Sequence, residues 1–169
     1  EIKTLYTLAH EHLRFDLDEL IPLSLDGQEG RQLQYELIQS VLIEMCKSEI
    51  VRMQYEDLTH SIKESWYGTE KSGGKKFIFE IMNEFASVLD GEGIRAGEEK
   101  GVSYIKGSKS ARQSWLMPLP TEIDRKFILE VHRRYRKLLG EMKALSVDQM
   151  IVDFNSFLDS NRWDRVREQ

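Results

Sequence analysis

The sequence predicts an all-α fold, a multi-helix orthogonal bundle with room for one short β-hairpin around residues 100–108. Three observations predict it. Apolar residues recur three and four positions apart through most of the chain, which is the pattern of one-faced helices. Of 169 residues, 40% are apolar and 31% charged, the profile of a soluble helical domain long enough to bury its own core. The breaks between periodic stretches carry Gly, Ser or Pro, and there is neither an internal repeat nor a low-complexity tract.

Leu8, Leu13 and Leu17, beside Ala9 and Phe15, predict a first amphipathic helix, ended by a turn at Ile21-Pro22 because proline removes a donor and crowds the preceding turn. Ser24 to Gly30 reads as a loop and cap, with Asp26 and Glu29 spaced as in a capping box. Leu33, Leu37, Val41, Leu42 and Met45 then form one apolar stripe. Val51, Tyr55, Leu58, Ile62 and Trp66 continue the period, so residues 29–66 hold either one long bent helix or two stacked ones. After a Gly- and Lys-rich break, Phe77, Ile78, Ile81, Phe85, Val88 and Leu89 predict a helix over about 75–89, closed by Asp90-Gly91-Glu92-Gly93.

Residues 91–120 read as loops, with strand-like Val102 to Gly107 as the candidate hairpin and an extended stretch around Pro118 and Pro120, each of which disfavours helix in the residue before it. Thr121 is a good N-cap for a helix lined by Ile123, Phe127, Val131, Tyr135 and Leu138 to about Lys143. Val147 to Leu158 gives a last helix, capped by Ser146.

Charge is distributed unevenly. Residues 1–94 carry 9 Lys/Arg against 18 Asp/Glu, residues 95–143 carry 12 against 6, and residues 144–169 carry 3 against 5. A basic third inside an acidic chain can attract phosphate locally, since fields are screened over about 8–10 Å; the competing reading is a solvated helix face. No apolar run approaches the ~20 residues of a membrane span. Cys46 is the single cysteine, so there is no disulfide framework and no multi-cysteine metal site. A cytoplasmic protein with no membrane partner is expected.

Several near-miss motifs have plainer readings. Gly68 to Lys76 spaces its glycines one residue too widely for a phosphate loop and puts Lys76 where the hydroxyl should stand, so a loop is the reading. Gly91, Gly93 and Gly97 mark turns. His10 and His12 point about 200° apart on a helix and cannot share a metal, and His12 with Asp16 lacks a visible third ligand. Arg125 and His132 are seven apart on one helix face, a spacing that resembles the Arg-x6-His of HEPN-type ribonucleases. Arg95, Lys100, Lys106, Lys109 and Arg112 stand among Gly and Ser with Tyr104 and Trp115 interleaved, a composition that suits nucleic acid. The alternative puts Trp115 in the core and leaves the lysines solvated.

The chain opens on strand-like Ile2 to Tyr6 running straight into a helix and closes on the charged stretch Asn161 to Gln169, which leads to the expectation of a piece of a larger protein. Thr4, Leu5, Leu8, Ala9, His10 and Leu13 match a Thr-Phe-His-x-Leu-Ala-x-x-x-Leu segment, with Tyr6 replacing the His. Leu145 to Asp159 is similar to a Leu-Asp-Phe-Asp-Asp-Leu helix, with Asp148 matching a carboxylate and Gln149 replacing its neighbour. Between them, Phe77 to Phe85, Ser103 to Trp115 and Phe127 to Leu139 echo an acidic-apolar helix, a basic loop and a further helix. In this order the segments resemble UvrD/Rep-type superfamily 1 DNA helicases, which insert a helical subdomain called 1B there.

The resemblance implies three parts: residues 1–20 as a flanking motor segment, 21–145 as a 1B-like helical subdomain, and 146–169 as a helix leading toward the magnesium-binding motif. It implies a parent that hydrolyses ATP with magnesium to move along DNA. The Gly-Lys-Ser/Thr loop and Asp-Glu pair of that chemistry lie outside these residues, so no catalytic residue, metal ligand or cofactor is expected within them. The implied partners are single-stranded or forked DNA and the rest of the helicase. The implied nucleic-acid contacts are Thr4, Tyr6, Lys106, Lys109, Arg112, Arg133, Arg134 and Arg136. Two further readings stand beside this one: a helical protein-interaction module, and a HEPN-like ribonuclease using Arg125 and His132.

Overall fold

The computed structural model describes residues 8–9, 12–13, 21–22, 27–70, 74–107, 113–142, 144–145 and 147–159. The expected strand at Ile2 to Tyr6 and the caps at Asp26 and Ser146 lie outside them. Residues 8–9 and 12–13 are helical. In chain order there follow β1 (Ile21–Pro22), α1 (Gly27–Lys47), α2 (Glu49–Gln54), α3 (His60–Tyr67), α4 (Lys75–Glu84), a π-helical segment (Phe85–Asp90), α5 (Glu99–Lys106), α6 (Glu122–Glu141), β2 (Ala144–Leu145) and α7 (Val147–Leu158). The fold is all-α apart from the two-residue strands.

The longest apolar stripes make the longest helices, α1 and α6, and these pack on each other. Residues 29–66 hold three helices rather than one or two. Ser48 accepts from the Val51 amide and starts α2 directly after α1 ends, and Tyr55 to Thr59 turns the chain into α3. Trp66 of α3 is fully buried and its indole N–H donates to the Leu42 carbonyl of α1 at 3.0 Å. Tyr55 and Phe127 meet it at ring distances of 6.5 and 4.8 Å. Rings of this kind each remove about 150–250 Å² from water, roughly 4–6 kcal/mol of transfer free energy. The trio therefore locks α1, α3 and α6 together.

The hairpin expected around residues 100–108 is corrected: residues 99–106 are helix α5. Val and Ile suggested a strand, but the buried positions are Gly101 and Tyr104, with Ile105 partly buried and Val102 exposed, which is a helical spacing and not a period of two. Gly101 makes the packing possible, because a Cβ there would collide with the Arg95 carbonyl oxygen. Tyr104, read from sequence as a stacking aromatic, is a core residue whose hydroxyl donates to Glu84 Oε1 at 2.9 Å.

The helix expected over 75–89 is present but changes pitch. In an α-helix residues five apart sit about 140° from each other; the wider π turn brings them back toward one face. Phe85 and Asp90 both use this to reach His132 of α6, at a ring distance of 4.7 Å and a hydrogen-bond distance of 3.0 Å.

β1 and β2 pair in parallel, Ile21 with Ala144 and Pro22 with Leu145. Parallel strands need a long crossover, and here the crossover is the helical body from α1 to α6. The core of that body is one apolar cluster. A second cluster, of Leu8, Ala9, Leu13, Met150, Phe154, Phe157 and Leu158, belongs to segments beyond the strand pair. His12 stacks beside Phe154 and Phe157 there. α7 also packs on the π segment. Among the described residues no helix is long and apolar enough to cross a membrane.

Candidate nucleic-acid interface

Helix α5 ends at Gly107, whose φ of +85° only glycine adopts without strain. The buried ring of Tyr104 anchors this end of the connection to α6. The other end is anchored by Met117 and Leu119, both buried. Arg125, in the first turns of α6, joins the two: its Nε donates to the Ile105 carbonyl and its Nη1 to the Leu119 carbonyl, each at 2.7 Å. A rigid guanidinium fork suits this task, which a lysine could not perform with one ammonium position. Gly107 leaves the fork its space, since a Cβ there would approach Arg125 Nη2 to 3.2 Å.

Between these feet the structure exposes Lys106 and Trp115. Trp115 is 59% exposed, so the reading that placed it in the core does not hold. Lys126, beside Arg125 on α6, is exposed as well; position on a helix preceding a basic face was the only signal for it. Lys109 and Arg112, and Thr4 and Tyr6, lie outside the described residues.

Three of the four arginines of α6, Arg133, Arg134 and Arg136, are spent largely on carboxylates. Arg133, its side chain 52% exposed, forms a two-pronged pair with Glu130, Nε to Oε2 and Nη2 to Oε1, both 2.7 Å. That bond holds the Arg133 pKa above its ordinary value. Arg134 Nε donates to the same Glu130 at 2.8 Å, and its Nη1 lies 3.6 Å from Glu44 of α1. Burial pushes Glu130 up, but the two arginines outweigh it and hold its carboxyl below the usual range. Arg136 Nη1 lies 3.7 Å from Asp90. Glu130 stands three and four residues before Arg133 and Arg134, a spacing legible in the sequence.

Asp90 is the hub of a second polar group. Its Oδ1 lies 3.0 Å from His132 Nε2, 3.3 Å from Arg95 Nη1 and 3.7 Å from Arg136 Nη1. A carboxylate only accepts, so His132 Nε2 carries the proton. His132 is 1% exposed. Arg125 and His132 thus share a helix face, yet one binds loop carbonyls and the other a buried aspartate. Among the described residues no group of three His, Cys, Asp or Glu side chains is arranged to hold a metal ion.

Burial depresses the His132 pKa below 6.5, with Arg95 and Arg136 adding to the effect and Asp90 opposing it. Its folded value being the lower, the stability tied to neutral His132 is present above pH 6.5 and is lost as pH falls from there toward the folded value. Unfolding midpoints measured between pH 5 and 7.5 are expected to decline on the acid side, and His132→Gln, which keeps a donor toward Asp90, is expected to flatten that decline. An unchanged slope would assign it to other groups. No family model, curated protein or solved structure compared with the chain matches it.

Proposed function

We propose that this chain is a DNA-binding accessory module of an ATP-driven superfamily 1 DNA helicase, inserted between segments of the motor domain and lacking motor chemistry itself. One observation carries the reading. The polypeptide enters and leaves the main helical body side by side on the β1–β2 ladder, and the segments beyond it make an apolar cluster of their own. That arrangement supports the reading of a subdomain inserted into another body. It fits the boundaries that the resemblance implies, with ATP and magnesium handled in the parent and the whole acting in the cytoplasm.

The basic third supports DNA as the partner of this module. Its grip is on phosphate, which carries no base sequence, so binding is nonspecific and steeply salt-dependent. The number of contacts sets the slope. If Lys106, Lys109 and Arg112 alone touch phosphate, single-strand affinity falls roughly 20-fold between 50 and 200 mM salt; with Arg133, Arg134 and Arg136 added it falls roughly 300-fold. Because those arginines already hold Glu130, Glu44 and Asp90, the smaller figure is expected. Electrophoretic shift of single-stranded and forked DNA across that salt range tests both statements. No shift at either salt would mark a protein adaptor and end the DNA reading.

A further inference from the structure

We propose that Trp115 is a stacking platform for an unpaired nucleobase, so that the surface it presents prefers single-stranded to duplex DNA. The proposal rests on the nucleic-acid reading above and names the strand form that reading leaves open.

Three observations on the page converge on it. Trp115 has the most exposed ring among the described large hydrophobic residues, whereas Trp66 is fully buried. The backbone that presents it is fixed: Met117 and Leu119 are sunk in the core two and four residues later, Pro118 and Pro120 restrict the chain between and after them, and the Leu116 amide donates to the Gln113 carbonyl at 3.1 Å. The ring is therefore held out by folding, and ordering it costs a ligand little. Third, the charged residues near it in sequence are all cationic. From Lys100 to Thr121 the sequence has Lys100, Lys106, Lys109 and Arg112 and no Asp or Glu, the longest acid-free stretch in a chain with 29 acids.

These features choose the ligand. A protein partner would need acidic and aromatic side chains placed to match both the lysines and the ring, whereas every nucleotide offers a π face and a phosphate together. Arg125 ties the Lys106 side of the connection to Leu119, and Trp115 lies four residues from Leu119, at most about 14 Å of extended chain. A strand of roughly four nucleotides, at 3.4 Å per stacked base, covers that distance. Duplex bases already have both faces stacked, so a duplex engages the cations but leaves the ring bare. The acidic remainder of the chain, with 18 Asp/Glu against 9 Lys/Arg in residues 1–94, repels phosphate and confines binding to this end.

The test titrates the 169-residue chain and its Trp115→Ala and Trp115→Phe variants with a short oligothymidylate and with a blunt duplex of the same length, following anisotropy of the labelled DNA. Expected are a loss of roughly tenfold in single-strand affinity for Trp115→Ala, retention within about threefold for Trp115→Phe, and duplex affinity unchanged in both. Thermal unfolding of the variants checks that the exposed position leaves the fold intact. Undiminished single-strand binding by Trp115→Ala overturns the stacking role and leaves the DNA reading standing. Equal losses for single strand and duplex also overturn it, since they mean that the ring shapes the loop and does not touch a base. Failure of the wild-type chain to bind either form overturns both.

Discussion

Asp124→Ala is expected to lower the stability of the protein by roughly 3–4 kcal/mol, a fall of about 10 °C in melting temperature for a domain of this size. The carboxylate is fully buried and serves the starts of two helices at once. It accepts from the Thr121 amide at 3.1 Å while Thr121 Oγ1 accepts from the Asp124 amide, closing the capping box of α6. It also accepts from the Thr59 amide at 2.9 Å and the Thr59 hydroxyl at 2.6 Å, and Thr59 is the N-cap of α3. The Thr59 hydroxyl, donating to Asp124, makes no capping bond to its own helix. Removal would cost about 1 kcal/mol for the α6 cap and about 1–3 kcal/mol for buried donors left without an acceptor. Two helix N-termini facing one anion add a smaller electrostatic loss. Asp124→Asn, which keeps one acceptor oxygen, is expected to lose about half as much.

The sign of the pH dependence follows. Burial raises the Asp124 pKa, but the bonds from Thr121 and Thr59 outweigh it and leave the carboxyl below its ordinary 3.8. The stability it contributes is full above that ordinary value and is lost as pH falls through the folded value. Melting curves at pH 7 and pH 3 should therefore converge for wild type and Asp124→Asn on the acid side. A loss below about 1 kcal/mol for Asp124→Ala at pH 7 would mean that the freed Thr59 hydroxyl caps α3 and restores the balance.

What was legible in the sequence was what is local. The stripes of α1 and α6 and the Thr121 cap could be read because each depends on neighbours within a few residues, and the α6 helix ends within two residues of the expected boundary. α5 was misread because its buried face is made by a glycine and one tyrosine, which leave hardly any hydrophobic period, while its β-branched residues point elsewhere. The π segment has no local signature. It forms because Phe85 and Asp90 must both meet His132, and that partner is 42 residues beyond Asp90. At the candidate site, the surplus of cations was visible but their availability was not. Glu130 beside Arg133 and Arg134 could have been noticed, whereas Asp90 beside Arg136 could not. The role of Arg125 was hidden for a different reason: its partners are backbone carbonyls, which every residue has, so no pattern of side chains announces them.

Asp90→Ala is expected to cost about 3–5 kcal/mol, the cost of removing one member of a buried charged group. Asp90 sits at the end of the π segment, nearly fully buried, with His132, Arg95 and Arg136 around one oxygen. Arg95 Nη1 also donates to the Leu89 and Ile94 carbonyls at 3.0 and 2.8 Å, so it cannot swing out to water without breaking the turn that closes the segment. Burial and the nearby Arg136 already hold the Arg95 pKa below its ordinary value, with Asp90 the first of the groups opposing them. Without the aspartate, the two guanidinium groups lose the carboxylate they share, and Asp153 and Glu98 are the more distant acids that still favour the Arg95 charge. The expected signature is non-additivity. Arg95→Met removes one of the two positive charges that Asp90 offsets, so the double variant Asp90→Ala/Arg95→Met should be more stable than the sum of the single losses predicts, by an interaction energy of about 1–3 kcal/mol. Denaturant unfolding of the four proteins at pH 7.5, where His132 is neutral, measures it. Strict additivity would show that Asp90 works through its bond to His132 alone, and the π turn would then be explained by that bond and by Phe85 packing against the same ring.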